Sequence, residues 1–211
     1  MAERIIVQKK IENAVLQMKP GTAFSAADFA GMNDTDAVNK ALSRLAEQGI
    51  IRRAMQGVYD VPMKITLLDE DCDPLIPEIM RAAARKNGWS IAASGDAALY
   101  EIGIGPRPVS EWTYVSDGPP KVYEIGTQRL VIRTGKPREI SGKHPKTALV
   151  IQAIRAIGKN ITPEQIDAIS ERLSSEEKKI LLEESRTVSV WIRKIVIQMT
   201  EFRIQKFRYE E

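Results

Sequence analysis

The stretch that decides the fold runs from Asn33 to Pro62 and reads NDTDAVNKALSRLAEQGIIRRAMQGVYDVP. Its first half repeats apolar residues at the three- and four-residue spacing of a helix, which predicts one buried stripe. Asn33 or Asp34 is the expected cap of this helix, and Gly49 ends it. Two short β-forming runs around a Gln-Gly turn then predict a hairpin. The predicted buried stripe consists of Val38, Ala41, Leu42 and Leu45.

The residues outside this stripe are mostly polar or basic. Hydroxyl, amide, ammonium and guanidinium groups of this kind bond to base edges and to phosphates. The helix and hairpin therefore predict a DNA-binding surface. On this surface the helix carries Asn39, Lys40, Ser43 and Arg44, and the hairpin carries the two cations Arg52 and Arg53.

The preceding segments fit the same module. Residues 3–18 repeat apolar side chains at helical spacing and predict a first helix. Ser25 and Asp28 have capping-box-like spacing, and Phe24 and Phe29 are placed as a hydrophobic staple, which together predict a short second helix. Three helices followed by a two-stranded hairpin make a winged helix-turn-helix, which we predict for residues 1–62.

A second interpretation of this module is a protein-docking domain that binds no promoter. Residues 1–62 carry eight Lys and Arg against seven Asp and Glu, so the net charge of about +1 gives weak support for a nucleic-acid partner. The position of the charges is more informative, because four cations fall on the predicted helix and hairpin. We therefore favour DNA binding, with docking as the alternative.

Length and composition suit a soluble protein of two domains. The chain has 211 residues, a formal net charge of +3 and one cysteine, Cys72, which excludes an intramolecular disulfide. No apolar run approaches the roughly 20 residues of a membrane span, and the N-terminal segment lacks the apolar core of a signal peptide. These features predict a cytoplasmic protein without membrane association.

The remainder of the chain predicts an acidic linker and a mixed α/β domain. Residues 63–78 are rich in acids and prolines and are the predicted linker. The second domain, residues 79–211, is expected to begin with helices over 78–87 and 96–102, followed by strands over 112–115, 121–125 and 129–133. The fold class is therefore α+β.

Basic residues recur in the second domain. A phosphate contact, an acidic protein partner and a solvated sheet face are all compatible with this region, and the solvated face is slightly favoured. The eight cations are Arg107, Lys121, Arg129, Arg133, Lys136, Arg138, Lys143 and Lys146.

The last part of the chain predicts a helical extension in three pieces, over 146–157, 162–173 and from Ser174 onward. Thr162 and Ser174 each begin a capping-box pattern. An apolar stripe runs through the final piece from Val188 to Phe202 at roughly heptad spacing. Packing on its own domain is the favoured interpretation, a dimer seam is the next, and a contact with nucleic acid is the third.

Candidates for catalysis are few. One histidine, His144, and one cysteine cannot form a zinc cluster of His and Cys ligands, and no nucleophile elbow or glycine-rich phosphate loop is present. Asp117 and Glu124 could hold a divalent cation as in a nuclease, although a tight turn explains Asp117 more simply. We therefore expect no enzymatic activity, no metal and no cofactor.

Several short sequence motifs, taken together, resemble those of a known family. They are ALSRLAEQGIIRR (residues 41–53), GVYDVP (57–62), SGDAAL (94–99) and TYVSDG (113–118). In this combination they are similar to AbiE-type antitoxins over most of the chain to about residue 157. The helices after Gly158 lie beyond this resemblance.

The resemblance implies a bacterial antitoxin of a type IV toxin-antitoxin system linked to abortive phage infection. In that family the winged helix binds inverted repeats in its own promoter as a repressor, and the second domain opposes a nucleotidyltransferase-like toxin, by direct or indirect action. The resemblance implies DNA contacts at Asn39, Lys40, Ser43 and Arg44 on the helix and at Arg52, Arg53 and Gln56 on the hairpin. Paired half-sites favour two copies of the chain on the DNA.

Overall fold

The structure of the protein, a computed structural model, describes residues 2–29, 31, 35–65 and 70–206. The architecture is α+β with a helical C-terminal part, which confirms the predicted class. Contacts divide the chain into two compact units. The first unit comprises Met1–Trp89 and Tyr123–Arg129, and the second comprises Ser90–Val122 and Leu130–Glu211.

The first unit contains helices and three short strands that form one sheet in the order β1-β3-β2. Its core joins α1, α2 and this sheet through Ile11, Leu42, Leu45 and Tyr59. In chain order its elements are α1 (Ala2–Leu16), β1 (Ala23–Ser25), a 3-10 turn (Ala26–Phe29), α2 (Thr35–Glu47), β2 (Arg52–Met55), β3 (Val58–Asp60), β4 (Lys64–Ile65), β5 (Glu70–Asp71) and α3 (Ile76–Asn87).

The predicted helix and hairpin are confirmed. Val38, Ala41, Leu42 and Leu45 are all buried on α2. Strands β2 and β3 are antiparallel, and Gly57 adopts φ +70° in the turn between them. This left-handed conformation suits glycine and explains why the chain reverses there. The predicted cap at Asn33 or Asp34 lies outside the described residues.

The predicted second helix is replaced by strand β1 and a single 3-10 turn. The staple contact is confirmed, since the rings of Phe24 and Phe29 lie 5.8 Å apart. The backbone N–H of Ser25 donates to Asp28 Oδ2 at 2.8 Å. All three residues of β1 are buried and pair with β3, so Ser25, the predicted start of the helix, is the last residue of a strand instead.

The predicted linker and domain boundary differ from the structure. Residues 63–78 include an antiparallel ladder, β4 with β5, and the beginning of α3. Helix α3 packs on β1 and β3 of the first unit. Arg85 of α3 donates to Asp28 Oδ1 at 2.7 Å and to the carbonyl of Ala23 at 3.2 Å. Although partial burial raises the pKa of Asp28, the hydrogen bonds from Arg85 and Ser25 outweigh it and lower that pKa.

The first unit also includes residues 123–129, the tip of a later hairpin. Thr127 Oγ1 donates to Asp73 Oδ2 at 2.5 Å, and this hydrogen bond lowers the pKa of the Asp73 carboxyl. Gly126 adopts φ +59°, which favours glycine, and a Cβ there would lie 2.4 Å from Asp73 Oδ1, so a larger residue would displace the Asp73 carboxylate. The contact joins residues 54 positions apart, which explains why local sequence did not predict it.

A second sheet has the order β6-β7-β9-β8 and belongs to the second unit, except for residues 123–125 of β8 and 128–129 of β9, which the first unit includes. Helices α4 and α6 pack on β6. Alternate residues of β7 are buried, including Trp112 and Tyr114, as expected for a sheet with one covered face. In chain order the elements are β6 (Ile91–Ser94), α4 (Asp96–Ile102), β7 (Glu111–Ser116), β8 (Lys121–Ile125), β9 (Gln128–Thr134), α5 (Pro137–Ile140), α6 (Pro145–Ile157), α7 (Pro163–Ser170), α8 (Ser175–Glu184), a 3-10 turn (Ser185–Thr187) and α9 (Val190–Lys206).

The helical extension has one more helix than predicted. The piece from Ser174 onward is split by the 3-10 turn into α8 and α9. Ile192, Val196 and Met199 of α9 are buried, and α9 contacts α6, α7 and α8 of its own unit. The favoured interpretation of the apolar stripe is thus confirmed for its described residues.

Both predicted capping boxes are present. Thr162 and Ser174 each accept a hydrogen bond from the backbone N–H three residues later, and the Gln165 and Glu177 side chains bond back to the cap N–H. The hydrogen bond from the backbone N–H of Ser174 to the carboxylate of Glu177 lowers the pKa of Glu177.

Replacing Ser174 by alanine is expected to lower the free energy of unfolding of the second unit by about 1 kcal/mol, because the N–H of Glu177 loses its acceptor. Urea denaturation followed by tryptophan fluorescence measures this change. Ser175→Ala is the matched control, since Ser175 lies one residue inside the helix. An equal effect of the two substitutions would contradict the capping role.

Candidate nucleic-acid interface

The outward face of α2 is polar and basic, as predicted. Asn39, Lys40 and Arg44 are exposed, whereas Ser43 is half-buried. The face follows from the amphipathic pattern of the helix, because the apolar side chains at intervening positions are drawn into the core. The α2 residues of the predicted site therefore share one surface.

Helix α1 contributes to this surface beside Arg44. Gln8 Oε1 accepts a hydrogen bond of 2.9 Å from Arg44 Nη1. A shallow pocket opens there, lined by Gln8, Ala37, Lys40, Ala41 and Arg44. A guanidinium has five N–H donors, so this single bond orients Arg44 and leaves donors for a ligand.

Arg53 joins the hairpin to α2. Its Nη2 donates to Ser43 Oγ at 3.2 Å and to the hydroxyl of Tyr59 at 3.1 Å. The guanidinium carbon also lies 5.4 Å from the centroid of the Tyr59 ring, within cation–π range. Arg53 remains exposed, and these contacts place its charge beside the outward face of α2.

Arg52, the other predicted contact on the strand, is half-buried and paired within the first unit. Nε and Nη2 donate to the two carboxylate oxygens of Asp60 at 3.1 and 2.6 Å, and Nη1 donates to the carbonyl of Cys72 at 2.8 Å. The hydrogen bond to Asp60 raises the pKa of Arg52. Successive strand residues point to opposite faces of a sheet, so Arg52 turns inward where Arg53 turns outward.

The tip of the hairpin has a cationic neighbour that sequence reasoning missed. Gln56 is exposed, and its backbone carbonyl accepts a hydrogen bond of 2.7 Å from Lys86 Nζ of α3. The helix containing Lys86 was predicted, but it was assigned to the second domain. The periodicity of α3 gives no signal for its contact with a turn 30 residues earlier.

The acids considered for a metal site have structural partners. Asp117 accepts hydrogen bonds from the Ser90 N–H at 2.8 Å and from Ser141 Oγ at 3.1 Å, as a turn residue would. Glu124 lies 3.9 Å from Arg129 Nε, across the hairpin of β8 and β9. Within residues 2–29, 31, 35–65 and 70–206, no group of three or more His, Cys, Asp or Glu residues could hold a metal ion.

The second basic region is spread over several elements of the fold. Arg107 lies in a loop, Arg133 in β9 and Arg138 in α5, and all three are exposed. Lys143 is half-buried, and its Nζ donates to the carbonyl of Glu184 at 2.6 Å. His144 accepts the N–H of Lys146 at 3.3 Å and thereby caps α6. Lys143 and His144 therefore have structural roles.

Fold and site define an α+β protein whose first unit presents exposed cations on a helix and an adjoining hairpin. The chain belongs to the family DUF6088, described as a family of unknown function, whose model matches residues 10–181. In the described part of the chain, no helix combines the length and apolarity needed to cross a membrane.

Two further comparisons add little to this assignment. No curated protein matches the chain. The crystal structure of the RV2827C protein from Mycobacterium tuberculosis matches 93% of this chain and 76% of its own, with 11% sequence identity and a TM-score of 0.41.

Proposed function

We propose that the protein is a cytoplasmic, non-enzymatic DNA-binding autoregulator that represses its own operon and acts as an antitoxin. In this proposal the first unit is a winged helix-turn-helix, with α2 as the recognition helix and the β2–β3 hairpin as the wing. The order of α1, the 3-10 turn, α2 and the hairpin supports this interpretation. The antitoxin role against a nucleotidyltransferase-like toxin rests on the sequence resemblance alone.

The observation that carries the DNA-binding proposal is the contact of Arg53 with Ser43. It holds an exposed cation of the hairpin next to the polar face of α2. A helix of this size fits the major groove, and a cation beside it can neutralise a backbone phosphate. The proposed DNA contacts are Asn39, Lys40, Ser43, Arg44, Arg53 and Gln56, without Arg52.

The two arginines of this surface are expected to act differently. Arg44→Ala removes a side chain that can read a base edge, so discrimination at one base step should fall by roughly 1–3 kcal/mol. Arg53→Ala removes a phosphate contact, so binding should weaken alike on every sequence and the salt slope should fall by about 1. Fluorescence anisotropy with a duplex from the upstream region and a shuffled duplex, over a salt series, measures both effects.

Lys159→Ala supplies the control, because Lys159 is an exposed lysine of the second unit outside the proposed surface. Equal binding by both arginine variants and the parent would contradict the assignment of the contacts. If the parent binds neither duplex even at low salt, DNA binding itself is refuted and the docking alternative is favoured. The antitoxin role is tested separately, by co-expression with the product of the neighbouring gene.

A further inference from the structure

Lys86 lies in the last turn of α3 and contacts the turn of the β2–β3 hairpin. Its Nζ donates to the carbonyl oxygen of Gln56 at 2.7 Å. Both residues belong to the first unit, and both are exposed. Lys86, which is not part of the hairpin, therefore places its ammonium group at the tip of the hairpin.

Gly57 of the turn leaves room for the Lys86 side chain. A Cβ on Gly57 would lie 2.7 Å from Lys86 Nζ and 3.0 Å from Cε, so a larger residue would displace the side chain. The neighbouring Arg85 anchors the same end of α3 through Asp28 and the carbonyl of Ala23. The position of Lys86 thus follows from two independent contacts of α3 with the unit.

The ammonium group retains capacity to bind an anion. It has three N–H donors, and the bond to Gln56 uses one of them. Arg53 lies three residues before Gln56 on the hairpin, which limits the backbone distance between these two residues to about 10 Å. Cations carried by neighbouring parts of the hairpin can contact different phosphates, since phosphates recur every 3.4 Å of axial rise along one DNA strand.

We propose that Lys86 is a phosphate-contacting residue of the hairpin tip, which makes α3 part of the nucleic-acid-binding unit. This inference rests on the proposed function and extends it to a residue outside the recognition helix and the hairpin. The contact is to the DNA backbone, so it contributes affinity on every sequence and no discrimination between sequences.

The test compares Lys86→Met and Lys86→Arg with the parent in the full chain. Anisotropy is measured with the upstream duplex and its shuffled counterpart between 50 and 200 mM KCl. For Lys86→Met we expect the slope of log K against log [KCl] to fall in magnitude by about 0.9 and the affinity for both duplexes to fall about threefold to tenfold. Lys86→Arg, which keeps the charge, is expected to restore the slope. Arg81→Met on the same helix is the control, because Arg81 is already paired with Glu78.

Three outcomes would overturn the proposed phosphate contact of Lys86. An unchanged slope and affinity for Lys86→Met overturn the phosphate contact. Loss of affinity with an unchanged slope and a lowered melting temperature shows that Lys86 only supports the turn, which also overturns it. If the parent binds neither duplex, the proposed function fails and this inference fails with it. Failure of the Lys86 inference alone is recognised by parent binding that Arg53→Ala weakens and Lys86→Met does not.

Discussion

Replacing Arg52 by methionine is expected to lower the free energy of unfolding of the first unit by about 3 kcal/mol. The side chain of Asp60 is 1% exposed, and its carboxylate would lose both hydrogen bonds from the guanidinium. A buried carboxylate without a partner is strongly destabilising, and the carbonyl of Cys72 would lose its donor as well. Urea denaturation followed by circular dichroism, with hydrogen exchange over residues 52–60, measures the loss.

The adjacent arginine provides a matched control. Arg53→Met removes the same charge from the same strand, but Arg53 is exposed, and among the described residues it interacts with the hydroxyls of Ser43 and Tyr59 and with the Tyr59 ring. We expect it to change stability by less than about 1 kcal/mol. Comparable destabilisation by the two substitutions would refute the separation of a structural Arg52 from a surface Arg53.

This pair of arginines marks the limit of the sequence-based prediction of the site. The pattern of apolar residues identifies α2, its buried face and the hairpin, because amphipathic periodicity and a Gln-Gly turn are local signals. Two consecutive arginines on a strand point to opposite faces of the sheet. Which one turns inward depends on the pairing of Arg52 with Asp60 across the strands, and spacing alone does not fix that register.

The other differences have the same origin in non-local contacts. Strand β1 forms because β3, more than 30 residues later, offers it a partner and burial. The stretch 63–78 has the composition of a linker, yet it leads into α3, which Arg85 anchors to Asp28 57 residues away. Strand β6 has an alanine-rich sequence with little β propensity and is stabilised by β7 and α6. Composition and local periodicity carry no information about such contacts.

In the second unit, replacing Arg155 by methionine is expected to lower the free energy of unfolding by about 3 kcal/mol. Arg155 of α6 donates to both carboxylate oxygens of Glu139, with an Nε to Oε2 distance of 2.9 Å. The Glu139 side chain is 2% exposed. Without Arg155, its carboxylate would keep the hydrogen bond from Gln152 Nε2, which is weak at 3.4 Å. Chemical denaturation followed by tryptophan fluorescence measures the change. Arg186→Met is the control, since the Arg186–Glu183 pair is exposed and should contribute less than about 1 kcal/mol.

The double variant Glu139→Met, Arg155→Met separates the two possible causes of this destabilisation. Arg155→Met could destabilise the unit mainly because the buried Glu139 carboxylate loses its partner. In that case, removing Glu139 as well should recover a large part of the lost stability, because this buried charge is gone. If the cost comes from lost packing of the arginine stem, the second substitution should add to the first. We expect recovery, since 32% of the Arg155 side chain is exposed and the buried partner is the acid. A double variant less stable than Arg155→Met would contradict the explanation based on an unpaired buried carboxylate.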